Sequence, residues 1–183
     1  MPITNQQFTN SYHPGFITNR YYIPNFYSSI STTTTGINII CYCPLFFGES
    51  VKINSLSIMV STGVSDGLVA IGIYNNNQGV PSSLFYNGGE VAVATTGAKE
   101  ISFNSVTLNS GWYWLATMHN KSATLRSFSG TISNGLIGYN LADNTAIAGL
   151  RADCTYSASL PNTAPLTNLN FQISVPGVWF KIG

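Results

Sequence analysis

The chain has 183 residues, of which 44% are hydrophobic and only 7% are charged, and its formal net charge is +1 at pH 7. Since a soluble domain usually has about 25% charged residues, uncharged Asn, Ser and Thr side chains must supply its polar surface. So small a net charge offers no field to attract nucleic acid or anionic lipid, and the basic residues are scattered along the sequence. We therefore expect no nucleic-acid partner, and a length typical of one domain with an extension.

Membrane and export signals are the next feature. No stretch approaches the roughly 20 consecutive apolar residues that a membrane helix needs. Residues 1–7 lack the basic start and apolar run of a signal peptide. We therefore expect a protein made in a cytoplasm, with no membrane partner.

The aromatic residues near the amino terminus do not follow the period of a strand or a helix. Disordered tails are poor in aromatic residues, so we predict that residues 1–35 form an ordered, extended arm preceding a domain of residues 36–183. The arm either covers its own domain or contacts a neighbouring copy or a larger particle. The second interpretation is favoured because uncharged aromatic surface is typical of interface cores. The candidate anchoring residues are Tyr12, Phe16, Tyr21, Tyr22, Phe26 and Tyr27.

The first clear strand pattern covers Ile37–Phe47, which is apolar on both faces and is therefore expected in the centre of a sheet. Pro44 predicts a bend or an unpaired edge near its end. The apolar positions then change phase between Ile53 and Leu56, which predicts a β-bulge around residues 54–55.

The chain has three cysteines, so at least one of them cannot form a disulfide within the chain. Cys41 and Cys43 would share one face of the strand, and Cys154 is distant in sequence. His13 and His119 do not complete a recognisable zinc spacing. We expect free, buried thiols, with a disulfide involving Cys154 and a zinc site as alternatives, and we predict no metal or cofactor.

A β-hairpin is the clearest prediction in the middle of the chain. Within Leu68–Tyr74, the odd positions are apolar and form a core face. The Asn-rich segment that follows tolerates the positive φ angles of a tight turn. Such a polar turn is also a candidate for touching a receptor glycan, with a plain hairpin turn as the alternative. Its candidate recognition residues are Asn75, Asn76, Asn77 and Gln78.

A longer motif joins this hairpin to the aromatic strand that follows. It reads Gly-Ile-Tyr at residues 72–74, the Asn-rich turn, Gly-x-Pro at residues 79–81, Leu84, and Gly-Trp-Tyr-Trp-Leu-Ala at residues 111–116. This pattern resembles a jelly-roll-like β-sandwich module of tailed-bacteriophage virion proteins, over about half of the chain. A related pattern occurs in some bacterial secreted proteins, but the missing signal peptide favours the virion branch.

The resemblance implies a structural role in a virion. The expected protein is a capsid decoration (cement) or head-fibre protein that forms homotrimers and contacts the major capsid protein or other virion proteins. The alternative is a tail-fibre or receptor-binding module that recognises a glycan on the host surface.

The rest of the sequence extends the strand pattern. Short strands are expected around residues 124–128 and 135–139, an irregular excursion covers 151–168, and an alternating strand covers 169–175. Roughly eight to ten strands with polar turns and almost no helix indicate an all-β, jelly-roll-like antiparallel β-sandwich.

No catalytic motif stands out. The six carboxylates lie mostly beside Gly, Ser or Asn in expected turns, and no nucleophile-elbow or phosphate-loop motif is present. We therefore expect a protein that is not an enzyme. Trp112, Trp114 and Trp179 are candidates for stacking on sugar rings, although packing in the core is the favoured role.

Overall fold

The structure is a computed structural model that describes residues 15–24, 27–131, 136–142 and 144–183. Over these ranges the regular backbone consists of β-strands, and no helix is long and apolar enough to cross a membrane. In chain order the strands are β1 (Tyr21–Tyr22), β2 (Tyr27–Thr34), β3 (Ile39–Phe47), β4 (Val51–Thr62), β5 (Leu68–Asn77), β6 (Val80–Ala92), β7 (Gly97–Leu108), β8 (Gly111–His119), β9 (Thr124–Thr131), β10 (Tyr139–Asn140), β11 (Thr145–Ala146), β12 (Gly149–Asp153), β13 (Asn170–Gln172), β14 (Ser174–Pro176) and β15 (Trp179–Ile182).

The strands form two antiparallel sheets and a small ribbon. The first sheet has the order β1-β15-β4-β9-β14, with β7 also paired to β4 and β2 also paired to β9. The second sheet has the order β13-β12-β3-β8-β5-β6, and β10 and β11 form the ribbon. The predicted all-β, jelly-roll-like antiparallel sandwich is therefore confirmed.

The main core lies between the two sheets. Alternate residues of β4, among them Leu56 and Ile58, meet alternate residues of β5, among them Ile71 and Ile73. All four are at most 1% exposed. Because side chains alternate between the two faces of a strand, the spacing of two in sequence produces this layer directly.

A second core lies on the opposite face of the second sheet. Tyr42, Tyr74 and Trp114 point to this face and are covered by residues 154–169, which we call the covering segment. The hydroxyl of Tyr42 donates to the carbonyl of Pro165 at 3.0 Å, and that of Tyr74 donates to the carbonyl of Pro161 at 2.7 Å. The central strands of the second sheet, β3, β8 and β5, are thus largely buried on both faces.

Two local predictions for the first strands are confirmed. β3 lies between β12 and β8, as its apolar character on both faces indicated. A register shift in the pairing of β4 with β7 falls between Ile53 and Ser55, which is the predicted bulge. The pairing of β3 with β12 ends at Tyr42. Pro44 lies after this point, so its missing N–H removes no hydrogen bond to β12.

The prediction of one alternating strand over residues 169–175 is wrong. β13 pairs with β12 in the second sheet, whereas β14 pairs with β9 in the first. The chain changes sheet at Ile173, which is 60% exposed, and Phe171 on the edge strand β13 is 57% exposed. Changing sheet ends the alternation that one strand in one sheet would keep.

The described part of residues 1–35 is paired with the sandwich. Tyr21 and Tyr22 pair with Lys181 and Phe180 of β15, and β2 pairs with β9 along its length. The division of the chain at residue 35 stays a prediction.

Gly72 of the sequence motif gives a testable consequence of close packing. A Cβ at this position would lie 2.5 Å from the carbonyl oxygen of Tyr86 and 2.7 Å from Cδ1 of Leu160. We expect Gly72→Ala to lower the free energy of unfolding by about 1–3 kcal/mol, because backbone and core must shift apart. Gly36→Ala is the control, since its Cβ meets only the flexible tip of Ile39. Equal urea midpoints for the two variants would contradict the prediction.

Candidate functional site

The described aromatic residues of the arm lie on the chain's own domain. The ring centroids of Phe16 and Tyr22 are each 6.1 Å from that of Phe180 in the main core. Tyr27 is buried, and its hydroxyl donates to the carbonyl of Ala148 at 2.7 Å. The remaining candidates, Tyr12 and Phe26, lie outside the described residues.

The Asn-rich segment does not form the predicted turn over its whole length, because Asn75–Asn77 are the last residues of β5 and the two-residue turn to β6 is Gln78 and Gly79. Gln78 and Gly79 have φ angles of 50° and 87°, as a type I′ turn requires. The side-chain Nδ2 of Asn75 donates to Ser83 Oγ at 2.9 Å, and the side-chain Oδ1 of Asn76 accepts from Trp114 Nε1 at 2.9 Å. Of the four candidate recognition residues, Asn77 and Gln78 are exposed. A recognition role for this turn stays a prediction.

Two of the three cysteines and the described histidine, His119, are buried. Cys41, Cys43 and Cys154 are free thiols, the first two buried. Burial raises the pKa of Cys41 and of Cys43 to about 12, so both remain protonated thiols. His119 is fully buried, and this burial lowers its pKa to about 4. In the described ranges, no group of three or more His, Cys, Asp or Glu residues is placed to hold a metal ion.

A groove on the outer face of the first sheet brings together residues from four strands. Paired residues of neighbouring strands point to the same face of a sheet. Trp179 of β15 pairs with Ser57 of β4, and Ser57 pairs with Glu100 of β7. In the neighbouring rows, Tyr21 pairs with Lys181, on the opposite face from the main core. The pairing therefore brings Tyr21, Trp179 and Glu100 close together on the outer face of the first sheet.

The groove has a volume of about 270 Å³. It is mainly apolar, and its lining residues are Tyr21, Ser57, Ile58, Met59, Ala98, Glu100 and Trp179. Trp179 is held on its inner side by Phe128, whose ring centroid lies 5.2 Å from its own. Tyr21 remains 45% exposed. The groove thus has one ring fixed by the core and one ring open to solvent.

The polar groups of the groove centre on Glu100. The hydroxyl of Tyr21 donates to Glu100 Oε2 at 2.6 Å, and Ser102 Oγ donates to Oε1 at 3.4 Å. Lys181 Nζ lies 4.0 Å from Oε1 and 5.3 Å from the centre of the Tyr21 ring. The bond from Tyr21, more than the nearby Lys181 charge, lowers the pKa of Glu100. The carboxylate is therefore ionised at neutral pH and held in place by the Tyr21 hydroxyl, and the nearby Lys181 partly balances its charge.

Other carboxylates are engaged elsewhere on the surface. Asp66 pairs with Lys121 at 3.5 Å, and Glu90 accepts from the Tyr156 hydroxyl at 2.6 Å. Among the described residues that line the groove, Glu100 is the single carboxylate. Hydrolysis of a glycoside generally uses two carboxyl groups flanking the bond, one more than this lining provides.

The sequence pattern identifies Tyr21 and Trp179 as candidate residues but does not predict the groove that they share. Ser57, Met59 and Glu100 were not distinguished from ordinary strand and turn residues. The alternation of β4 placed Ser57 and Met59 opposite to its core face. The residues that lie beside them in the groove are known only from the strand pairing.

Comparisons with known proteins give little further information. No protein-family model matches the chain, and no curated protein matches it. Among solved structures, it is similar to the clostridial cysteine protease Cwp84 C116A after propeptide cleavage, at 14% identity and a TM-score of 0.45, over 82% of this chain and 37% of that one. It is similar at 15% identity and a TM-score of 0.45 to the cysteine protease and lectin-like domains of Cwp84 from Clostridium difficile, over 83% of this chain and 34% of that one. The chain spans about a third of these proteins, and a likeness at this TM-score carries no argument about function.

Proposed function

We propose that this chain is a non-enzymatic structural protein of a phage virion, of the capsid decoration or head-fibre type, that assembles as a homotrimer. The supporting observation is the role of the motif residues that carry the resemblance. Gly79 takes a positive φ, Gly72 has no room for a Cβ, and Trp114 is 2% exposed in the second core. The residues that carry the resemblance are thus residues on which this sandwich depends.

The action of such a protein is the burial of surface against its neighbours on a particle. Phe171 and Ile173, where the chain changes sheet, provide exposed apolar surface on a chain with few charges. Exposed apolar side chains on a surface with few charges suit the core of an interface. We assign attachment to this edge and to Tyr21, since the rings of Phe16, Tyr22 and Tyr27 are packed on the sandwich itself.

Attachment to particles tests this proposal. The wild-type protein is expected to sediment with capsids of the phage that encodes it and to have the mass of a trimer in solution. The double variant Phe171→Ser, Ile173→Ser is expected to lose attachment while keeping its circular dichroism. Leu141→Ser, which changes an apolar residue that is 86% exposed outside this edge, is the control. Purified particles that lack the protein would contradict the proposal.

A second candidate function is the recognition of a host-surface glycan by a tail-fibre or receptor-binding module. The observation that favours it is the groove, which combines exposed aromatic surface with an oriented carboxylate. Ligand sites are concave and mostly apolar, with a few placed polar groups. Binding of the purified protein to host polysaccharide would support this candidate. Particle attachment without polysaccharide binding would leave the decoration role alone.

A further inference from the structure

The groove contains a buried polar atom that the fold does not use. Ser57 is 6% exposed, lines the groove, and its Oγ has no hydrogen-bond partner among the described residues. A buried hydroxyl without a partner costs free energy that the fold alone does not recover. Because this oxygen has less than 1 Å² of accessible surface, a ligand reaches it only after a rotation of the Ser57 side chain, whereas the Glu100 carboxylate is accessible directly.

The charges around the groove restrict its ligand. Lys181 already supplies a cation to Glu100 and covers one side of the Tyr21 ring. A cationic ligand would have to compete with a lysine that the chain holds in place. An anionic ligand would approach the ionised Glu100 carboxylate, which is unfavourable. The ligand that fits is neutral.

The lining also restricts the ligand's shape and chemistry. A purely apolar side chain would leave Ser57 and the remaining lone pairs of Glu100 without partners. A ligand with one C–H face and several hydroxyl donors satisfies both the rings and these oxygens. The volume of about 270 Å³ is slightly below the lower end of sites for drug-sized molecules, roughly 300 Å³, and suits a single ring.

We propose that this groove binds one neutral hexopyranose unit, with the apolar face of the sugar against Tyr21 and Trp179 and its hydroxyls donating to Glu100 and sharing a hydrogen bond with Ser57. This inference rests on the glycan-recognition candidate above and locates its site. Tyr21 has two roles here. Its ring forms one wall of the groove, and its hydroxyl orients the carboxylate.

Saturation-transfer NMR with methyl hexopyranosides tests the proposal. The probes are the methyl glycosides of glucose, galactose and mannose, with choline as a cationic probe and methyl glucuronide as an anionic one. At least one neutral glycoside is expected to give signals on its ring C–H protons, and the charged probes are expected to give none. Signals from choline or glucuronide alone, or from no probe, would overturn the inference.

Variants locate the binding on the groove. Tyr21→Ala and Glu100→Gln are each expected to weaken sugar binding by about tenfold, because each removes a contact of the size that a factor of ten represents. Tyr139→Ala is the matched control. Tyr139 is also partly exposed, and its hydroxyl also donates to a side chain, Asn144 Oδ1 at 2.8 Å, but it lies outside the groove.

The two proposals fail in different ways. If host polysaccharide binds equally well to wild type, Tyr21→Ala and Glu100→Gln, glycan recognition stands and the groove is not its site. If neither the polysaccharide nor any hexopyranoside binds, both glycan recognition and the hexopyranose site are contradicted. Circular dichroism and the urea midpoint of each variant show whether a loss of binding reflects a loss of fold.

Discussion

Replacing Phe180 by alanine is expected to lower the free energy of unfolding by about 3–5 kcal/mol, the range for removing a buried aromatic ring. Phe180 is 1% exposed and lies where the arm, β3 and β15 meet. Its ring centroid is 5.3 Å from that of Phe47 and 6.1 Å from those of Phe16 and Tyr22. Urea unfolding followed by tryptophan fluorescence measures the loss.

Phe171→Ala is the matched control for this prediction. It removes the same atoms from a side chain that is 57% exposed, so we expect a change within about 0.5 kcal/mol. The ring of Phe180 also holds Phe16 and Tyr22 on the sandwich, so the Phe180 variant is expected to expose residues 15–24 to limited proteolysis. Similar urea midpoints for the two alanine variants would show that the arm and β15 do not share a core.

Acid is expected to destabilise the protein between pH 6.5 and 4.5 through His119. This residue pairs with Val69 of the main core, so its imidazole points between the sheets. Burial lowers its pKa from 6.5 to about 4. In this window the unfolded chain binds a proton that the folded protein does not, so stability falls as the pH falls. The shift corresponds to roughly 2–3 kcal/mol between pH 7 and 4.5.

His119→Leu removes the titrating group while keeping a side chain of similar size. We expect the variant to lose most of the dependence on pH in this window and to be at least as stable as wild type at pH 7, because the buried imidazole nitrogens have no hydrogen-bond partner among the described residues. Urea midpoints at half-unit steps from pH 4.5 to 7.5 test this. Glu100, whose pKa is lowered, contributes a loss of stability below this window. A wild type with equal midpoints at pH 7 and 4.5 would contradict the assignment.

The strands and turns could be predicted because their causes are local. The apolar alternation of β5 and the positive φ angles at Gln78 and Gly79 depend on neighbouring residues only. The break at Ile173 could not be predicted, since an alternating segment has the same pattern whether or not it changes sheet.

The second core and the groove depend on contacts between distant segments. Tyr74 and Trp114 are buried because the covering segment lies over them, and its sequence has no strand or helix period. The groove needs β1 beside β15 and β7 beside β4, and neither pairing follows from the spacing of Tyr21, Glu100 and Trp179 in the sequence. Sequence patterns therefore predict the individual strands and turns, but not the strand pairing that forms the candidate site.

The pairing of β1 with β15 also has a kinetic consequence. Tyr22 pairs with Phe180, which lies near the other end of the sequence, and β15 also pairs with one edge of β4. In a nascent chain growing from its amino terminus, β1 has no strand partner, and one edge of β4 stays unpaired, until β15 leaves the ribosome tunnel. Folding dominated by such distant pairings is slow, on the order of milliseconds to seconds. Until then, the strands of the first sheet that await β15 have unpaired edges, which favour association between chains.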